Sequence, residues 1–312
     1  MLRSALLYLS TQPKVFGFVS HNRLAKSFAS RFVPGETLDT AIDAVKKLNA
    51  DGITASLDFL GESTRNEKEA RDSAKQYISM LDRIKETGVD ANVSVKLTAM
   101  GLDISEDLCT ANMQEILERA RELETFVRID MEGSDYTQKT LDLFYNRLYP
   151  SYRGNVGIVL QSYLYRSLSD VEHANVASAR VRLCKGAYKE PATVAYPDKK
   201  DVDDSYLRCM RSLLLDGHYP GIATHDERMV RETKRFATEN DIKPDRFEFQ
   251  MLYGVRRDLQ HKLVREGYRM RVYVPFGTQW YPYLMRRLAE RPANVAFLTG
   301  NVLKEMVGRN RN

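Results

Sequence analysis

Three cysteines in 312 residues, Cys109, Cys184 and Cys209, are too few and odd in number for a disulfide framework. They form no C-x-x-C pair, so a zinc site is disfavoured and a reducing compartment is favoured. No apolar run approaches ~18 residues, so nothing in the chain has the length of a membrane-spanning helix. Neither G-x-G-x-x-G nor G-x-x-x-x-G-K-[ST] occurs, which removes both glycine-rich phosphate-binding turns. A long basic block is missing too. The net charge of +5 comes from interspersed residues, so no nucleic-acid partner is expected. Such a balance fits a mixed-charge solvated surface, and also a phosphate-bearing cofactor or an anionic membrane. Acidic residues are absent before Glu36, whereas Arg3, Lys14, Arg23, Lys26 and Arg31 fall there. That asymmetry resembles an organelle transit peptide. Leu2, Leu6 and Leu9 share one helix face, however, and the preferred reading is a pair of amphipathic helices packed on the domain.

Hydrophobic residues make up 43% and charged residues 29%, a balance that supports a large core and argues against disorder. Residues 36–49 carry Leu38, Ile42, Val45 and Leu48 at helical spacing, closed by Asp51-Gly52. Eight short segments rich in β-branched and apolar residues follow: 53–60, 92–97, 126–131, 155–161, 179–185, 221–225, 247–252 and 268–274. They recur every roughly 25–40 residues, which leaves room for a helix in most gaps. Helical periodicity fills residues 67–86 and 111–123. Alternating strands and helices point to a parallel sheet with helices outside it. Eight units at this length predict a closed barrel rather than an open doubly wound sheet, which usually advertises its glycine-rich turn. The Asn92-Val93-Ser94 sequon falls on a predicted buried strand and is read as chance. The expectation is one domain, an α/β fold of the (β/α)8 TIM-barrel type, distorted, with extra N-terminal helices over residues 1–50. Barrel elements then occupy 53–277, a final helix 278–295 lies at the barrel mouth, and a tail spans 296–312.

Barrel strands open their carboxyl ends onto the active site. Here those ends are polar: Lys96, Asp130 with Glu132, Gln161, Arg182 with Lys185, Thr224-His225-Asp226, Glu248 with Gln250, and Tyr273. A lone strand-end lysine is usually a solvated rim residue, and a lone histidine a structural hydrogen-bonder. Burying six or seven such groups unpaired would cost several kcal/mol. Convergence on one face removes that conflict. The set holds cations, amides, hydroxyls and an imidazole, with no dense metal-ligand cluster and no hydrolase triad order. It suits a polyanionic cofactor that carries the chemistry, together with a carboxylate substrate. A Schiff-base or metal-assisted barrel lyase, with Lys96 as the amine, is a rival class. A non-enzymatic barrel is another.

These residues resemble the proline dehydrogenases. Arg182-Leu-Cys-Lys-Gly-Ala-Tyr188 is similar to their R-L-x-K-G-A-Y, Ala223-Thr-His-Asp226 to A-T-H-[DN], and Phe247-Glu-Phe-Gln-Met-Leu-Tyr-Gly254 to F-E-x-Q-M-L-x-G. Arg271–Gly277 with Tyr283-Leu-Met-Arg-Arg-Leu288 resembles their C-terminal substrate segment. Asn92–Leu97, Asp130-Met-Glu132 and Leu160-Gln-Ser-Tyr163 match further elements in order, over about residues 36–294. Each motif is weak alone, but seven in order are specific, and they look most like the compact bacterial monofunctional type. The resemblance implies FAD at the strand carboxyl ends, oxidation of L-proline to 1-pyrroline-5-carboxylate, and reoxidation by a membrane quinone. It implies that Arg286, Arg287 and Lys96 hold the substrate carboxylate, that Tyr273 and Tyr283 line the proline pocket, and that Glu62 gates it with Arg286. Asp130 is expected to pair with cations such as Lys96. Arg182 and Lys185 are expected at the flavin, with Gly186 and Ala187 allowing close approach. Met131, Gln161, Tyr188, Thr224, His225 and Gln250 complete the cofactor contacts. A transient contact with 1-pyrroline-5-carboxylate dehydrogenase is a further implied partner. The basic ends, residues 304–312 among them, suit peripheral membrane contact or loose solvated termini. The implied location is a bacterial cytoplasm at the inner membrane face, with the mitochondrion as the alternative.

Overall fold

A computed structural model of the chain describes residues 29–61 and 64–290, with side chains as far as Met285. Eight strands run β1 Thr54–Phe59, β2 Ala91–Val95, β3 Val127–Ile129, β4 Val156–Gln161, β5 Arg180–Cys184, β6 Gly221–Ala223, β7 Glu248–Leu252 and β8 Arg269–Phe276. Each pairs in parallel with the next, and β8 returns to β1 through six residue pairs, which closes the barrel. The expected (β/α)8 architecture is the observed one.

Local sequence fixes where each helix starts. Helix α1, Leu38–Ala50, begins two residues later than the periodicity suggested because the Thr37 side chain accepts from Thr40 N and caps it. Asn66 caps α2, Glu67–Thr87, and Gly88 ends it in the left-handed region. Ser105 caps α3, Glu106–Glu122, with Glu106 and Asp107 in its first turn. That cap starts α3 five residues before the expected span, since a capped polar first turn shows no apolar periodicity. Helix α4, Ser134–Leu143, runs through a π turn, Phe144–Leu148, into the short α5, Tyr149–Tyr152. Then come α6 Ser167–Val176, α7 Lys199–Asp216, α8 Glu227–Glu239, α9 Arg257–Arg265 and α10 Trp280–Glu290.

Period-two alternation divides each strand between two environments. Leu57, Val93, Val95, Val127, Ile129, Val181 and Leu183 are buried among helix residues such as Tyr77, Met80, Ile116 and Met210. The alternate positions face inward, where Arg182 Nη2 on β5 reaches Ser56 Oγ on β1, 3.4 Å across the barrel. Barrel interiors are usually filled by branched apolar side chains. This one is largely polar, with Val159 and Ala223 among its few apolar inward positions. The sequon lies in β2 with Asn92, Val93 and Ser94 all buried.

Helix α10 sits over the carboxyl ends of the strands. Its Trp280, Tyr281, Tyr283, Leu284 and Met285 are buried with Leu60 after β1, Val255 after β7, and Ala29, Phe32 and Val33. Trp280 Nε1 also donates to Glu36 Oε1 at 3.1 Å. Gly254 lets the 29–33 turn approach, since a Cβ there would lie 1.7 Å from Arg31 O. The predicted N-terminal helix pair and the residue 296–312 tail lie outside the described residues, as does Glu62.

Candidate active site

One continuous chain of hydrogen bonds climbs the barrel interior. Arg271 Nε donates to Glu248 Oε1 at 2.8 Å, and Gln250 Nε2 donates to the same oxygen at 2.6 Å. Gln250 Oε1 accepts from Arg182 Nε at 2.5 Å. Arg182 Nη1 donates to Asp130 Oδ1 at 2.7 Å, and Tyr273 OH donates to Asp130 Oδ2 at 2.8 Å. Both Arg182 and Gln250 are 5% exposed. A buried guanidinium is tolerated when its donors are used and a carboxylate faces it. Here its Nε and both Nη atoms have acceptors, and its carbon lies 5.4 Å from the Tyr273 ring centroid.

The electrostatics follow from burial. Burial, then the Asp130 and Asp58 carboxylates, pushes the Tyr273 hydroxyl well above its ordinary value, so it stays a donor at neutral pH. Burial alone would push Glu248 up. The Arg271 guanidinium and the hydrogen bonds from Arg271 and Gln250 outweigh it and hold this carboxyl below its usual range.

A second pair closes the neighbouring side. Lys96 Nζ lies 3.2 Å from each oxygen of Asp58, and Asp58 is 1% exposed. Tyr77 OH on α2 also donates to Asp58 Oδ1 at 3.4 Å. Asp130 therefore does not pair with Lys96 as expected. Its two oxygens are taken by Arg182 and Tyr273, while Lys96 has a carboxylate on its own neighbouring strand. Asp58 was missed by the sequence reading. The strand-end rule does point to it, since it is the one ionisable residue in β1 and next to last there.

Lys185 stands apart from Arg182. Its Nζ lies 2.5 Å from Asp203 Oδ1 on α7 and 2.9 Å from Asp226 Oδ2. Asp226 caps α8 by accepting from Arg228 N. Lys199 Nζ adds a contact to Asp203 Oδ2 at 2.5 Å. Burial opposes the charge on both aspartates, but the lysines prevail and hold them below the ordinary carboxylate range. No local signal separates Asp203 from Asp201 and Asp204 in the sequence.

The other expected cofactor residues surround this mouth. Gln161 Nε2 donates to Met131 O at 3.2 Å, and its Oε1 is buried with no hydrogen-bond partner among the described residues. His225 Nε2 accepts from Leu252 N at 2.9 Å, joining the ends of β6 and β7. Thr224 Oγ1 accepts from Asp226 N at 3.1 Å. Gly186 has φ +113°, and a Cβ there would fall 2.6 Å from the Tyr163 ring. Its glycine is thus required by the fold, whatever else approaches it. Ala187 and Tyr188 are exposed, and Tyr188 is neither core nor enclosed. Tyr283 is 6% exposed in the α10 cluster. Arg286 and Arg287 follow on the same helix, whose backbone is placed at the mouth; their side chains lie outside the description.

Among the described residues, no group of three histidine, cysteine, aspartate or glutamate side chains could hold a metal. None of the three cysteines is in a disulfide. No described helix is long and apolar enough to cross a membrane.

The family model for proline dehydrogenase matches residues 41–300. The chain belongs to the proline dehydrogenase family. It is an enzyme of the oxidoreductase class. Proline dehydrogenase 1 of Bacillus subtilis strain 168 is 41% identical over 300 residues, covering 93% of this chain and 99% of that one. Proline dehydrogenase of Deinococcus radiodurans is 42% identical over 311 residues, covering 97% and 98%. Among solved structures, proline utilization A from Bdellovibrio bacteriovorus, inactivated by N-propargylglycine, superposes with a TM-score of 0.81 at 29% identity. It covers 89% of this chain and 34% of the larger one. The match runs along nearly the whole length of these compact relatives.

Proposed function

We propose that this proline dehydrogenase family member oxidises L-proline to 1-pyrroline-5-carboxylate with FAD as its resident cofactor and a quinone as the final electron acceptor. The observation that carries the reading is the Arg182 node: a buried guanidinium at the carboxyl mouth, fixed by Asp130, Gln250 and Ser56. When bound, FAD supplies the hydride acceptor. The residues present fit a flavin. Gln161 Oε1, a buried acceptor without a donor among the described residues, suits the imide N–H of an isoalloxazine. Arg182 and, apart from it, Lys185 present cationic groups to the cofactor, and Met131, Thr224, His225 and Gln250 are its proposed floor and wall.

The chain's own groups then hold the substrate. Lys96 presents an ammonium whose counter-ion is already fixed by Asp58, so a carboxylate arriving at the mouth adds to an ordered pair. Arg286 and Arg287 on α10 bring planar donors of the kind that matches a carboxylate. Tyr273 and Tyr283 provide ring faces for the pyrrolidine, and Glu62 is the proposed gate partner of Arg286. Clamping of this sort can supply several kcal/mol of barrier reduction through orientation. A Schiff-base role for Lys96 is disfavoured, because such a lysine sits in an apolar pocket or beside another cation, whereas this one, though buried, is gripped by a carboxylate.

The site that passes electrons on is assigned to the membrane face of a cytoplasmic protein, with 1-pyrroline-5-carboxylate dehydrogenase as a transient consumer of product. The decisive test is spectral. Purified protein should be yellow, and anaerobic L-proline should bleach it. A colourless protein that also fails to take up FAD would remove the reading.

A further inference from the structure

The opposite end of the barrel carries a second cationic site. A cavity of about 440 Å³ opens among the amino ends of the strands, lined by Arg180, Arg271, Phe126, Asn92 and Gly154 among others. Arg180 is held by its faces. Its guanidinium carbon lies 4.5 Å from the Phe126 ring centroid and 4.7 Å from that of Tyr219. Its edge is bare: the side chain has no hydrogen-bonded acceptor among the described residues, and its Nε is fully buried without one. Arg128, 4% exposed, stacks over Phe126 as well, at 4.7 Å. Arg128 Nη1 donates to the Ile158 and Arg180 carbonyls, and its Nε is likewise buried and unsatisfied.

Among the groups turned away from solvent, charge at this end does not balance. Arg128, Arg180 and Arg271 converge, and inside the barrel Glu248 faces them with a carboxylate already shared by Arg271 and Gln250. Asp90 and Glu124 line the cavity but are exposed. Burial, joined by the neighbouring arginines, works against the charge of Arg128, and burial does the same at Arg180. An arginine does not shed its proton to relieve this. Arg180 is half-buried, with only its Nε fully enclosed, and its unused donors favour an acceptor that carries negative charge.

We propose that the amino-terminal mouth of the barrel is a binding site for a small oxyanion, a carboxylate or inorganic phosphate, with Arg180 as its principal donor and Arg271 beside it. The site is separate from the catalytic mouth and independent of the proposed flavin chemistry. Phosphate and carboxylate share the planar or tetrahedral oxygen edge that a guanidinium fork matches. The cavity is large enough for either.

The test uses thermal unfolding of the flavin-loaded protein, titrated separately with phosphate and with succinate at constant ionic strength set by chloride. A saturable rise in Tm of roughly 3 °C is expected with one of them. Arg180→Gln should abolish it. Gly154→Phe, which plugs the mouth from a position where a Cβ meets nothing within 4 Å, should abolish it too and guards against misfolding of the first variant. Arg286→Met, at the catalytic mouth, should leave the response intact. The proposal fails if neither anion exceeds chloride. It fails equally if the response survives Gly154→Phe, or disappears in Arg286→Met.

Discussion

Arg182 Nη1 lies 2.7 Å from Asp130 Oδ1, with side chains 6% and 12% exposed, and the pair sits where β3 and β5 open into the mouth. Tyr273, from β8, occupies the other oxygen of the same carboxylate. Three strands are thereby tied through one side chain. This makes Asp130 the member whose loss spreads furthest, because Arg182 would keep its charge and lose its counter-ion.

Asp130→Ala should cost about 3–5 kcal/mol of stability, the usual penalty for breaking one side of a buried pair. Tyr273→Phe, which removes one neutral donor, should cost only about 1 kcal/mol. In the double variant the Tyr273 effect should shrink, since one of its two carboxylate partners, Asp130 and Asp58, is already gone. Urea denaturation of the four proteins measures this. Additive costs would mean that the hydrogen bond in the structure carries no coupling.

The proposed substrate clamp predicts a different signature for Arg286→Met. Losing a charge-assisted contact to a bound carboxylate is worth about 1.5–3 kcal/mol, or on the order of 10–100-fold in KM for proline. Stability should change little. Steady-state kinetics with proline decides it, and a KM within twofold of wild type removes Arg286 from the clamp.

The barrel was legible because its signal is repetitive: eight β-branched segments separated by helical periodicity cannot easily be arranged otherwise. Strand lengths were less legible. Residues 126–131 and 221–225 read as full strands, yet β3 and β6 keep three residues each. Asp130 N and Thr224 N still donate to Val95 O and Gln250 O, but beyond them the backbone leaves the ladder to present side chains at the mouth. The site residues on strand ends could be found because polarity inside a buried strand is costly. Asp203 could not, since a helix start rich in aspartate is ordinary and only the fold shows which one faces Lys185. The pairing of Asp58 with Lys96 required knowing that β1 lies beside β2 in the observed register.

Gly186 offers a test of local strain. At φ +113°, an alanine is strained by its backbone and meets the Tyr163 ring at 2.6 Å as well. Gly186→Ala should lower stability by about 1–3 kcal/mol. Adding Tyr163→Ala removes the clash but not the strained φ, so the Gly186→Ala effect should shrink in that background without disappearing. Full recovery there would show that the backbone conformation carries no cost.

Acid sensitivity should trace to the cluster at Lys185. Asp203 and Asp226 are held below the ordinary value of 3.8 in the folded protein, chiefly by the two lysines against the opposing effect of burial. In the unfolded chain both would titrate near that ordinary value. A carboxyl with a depressed folded value binds fewer protons when folded, so it stabilises the fold at any pH above its unfolded value. That contribution is lost as pH falls through the folded values. Asp203→Asn should therefore be less stable than wild type at pH 7, by on the order of 1 kcal/mol because Lys199 is open to solvent. The gap should stay constant from pH 7 to about pH 5 and close progressively below pH 4. Urea melts of both proteins at pH 7, 5 and 3.5 give the comparison. A gap that does not narrow in acid would mean that Asp203 contributes through shape and packing and not through its charge.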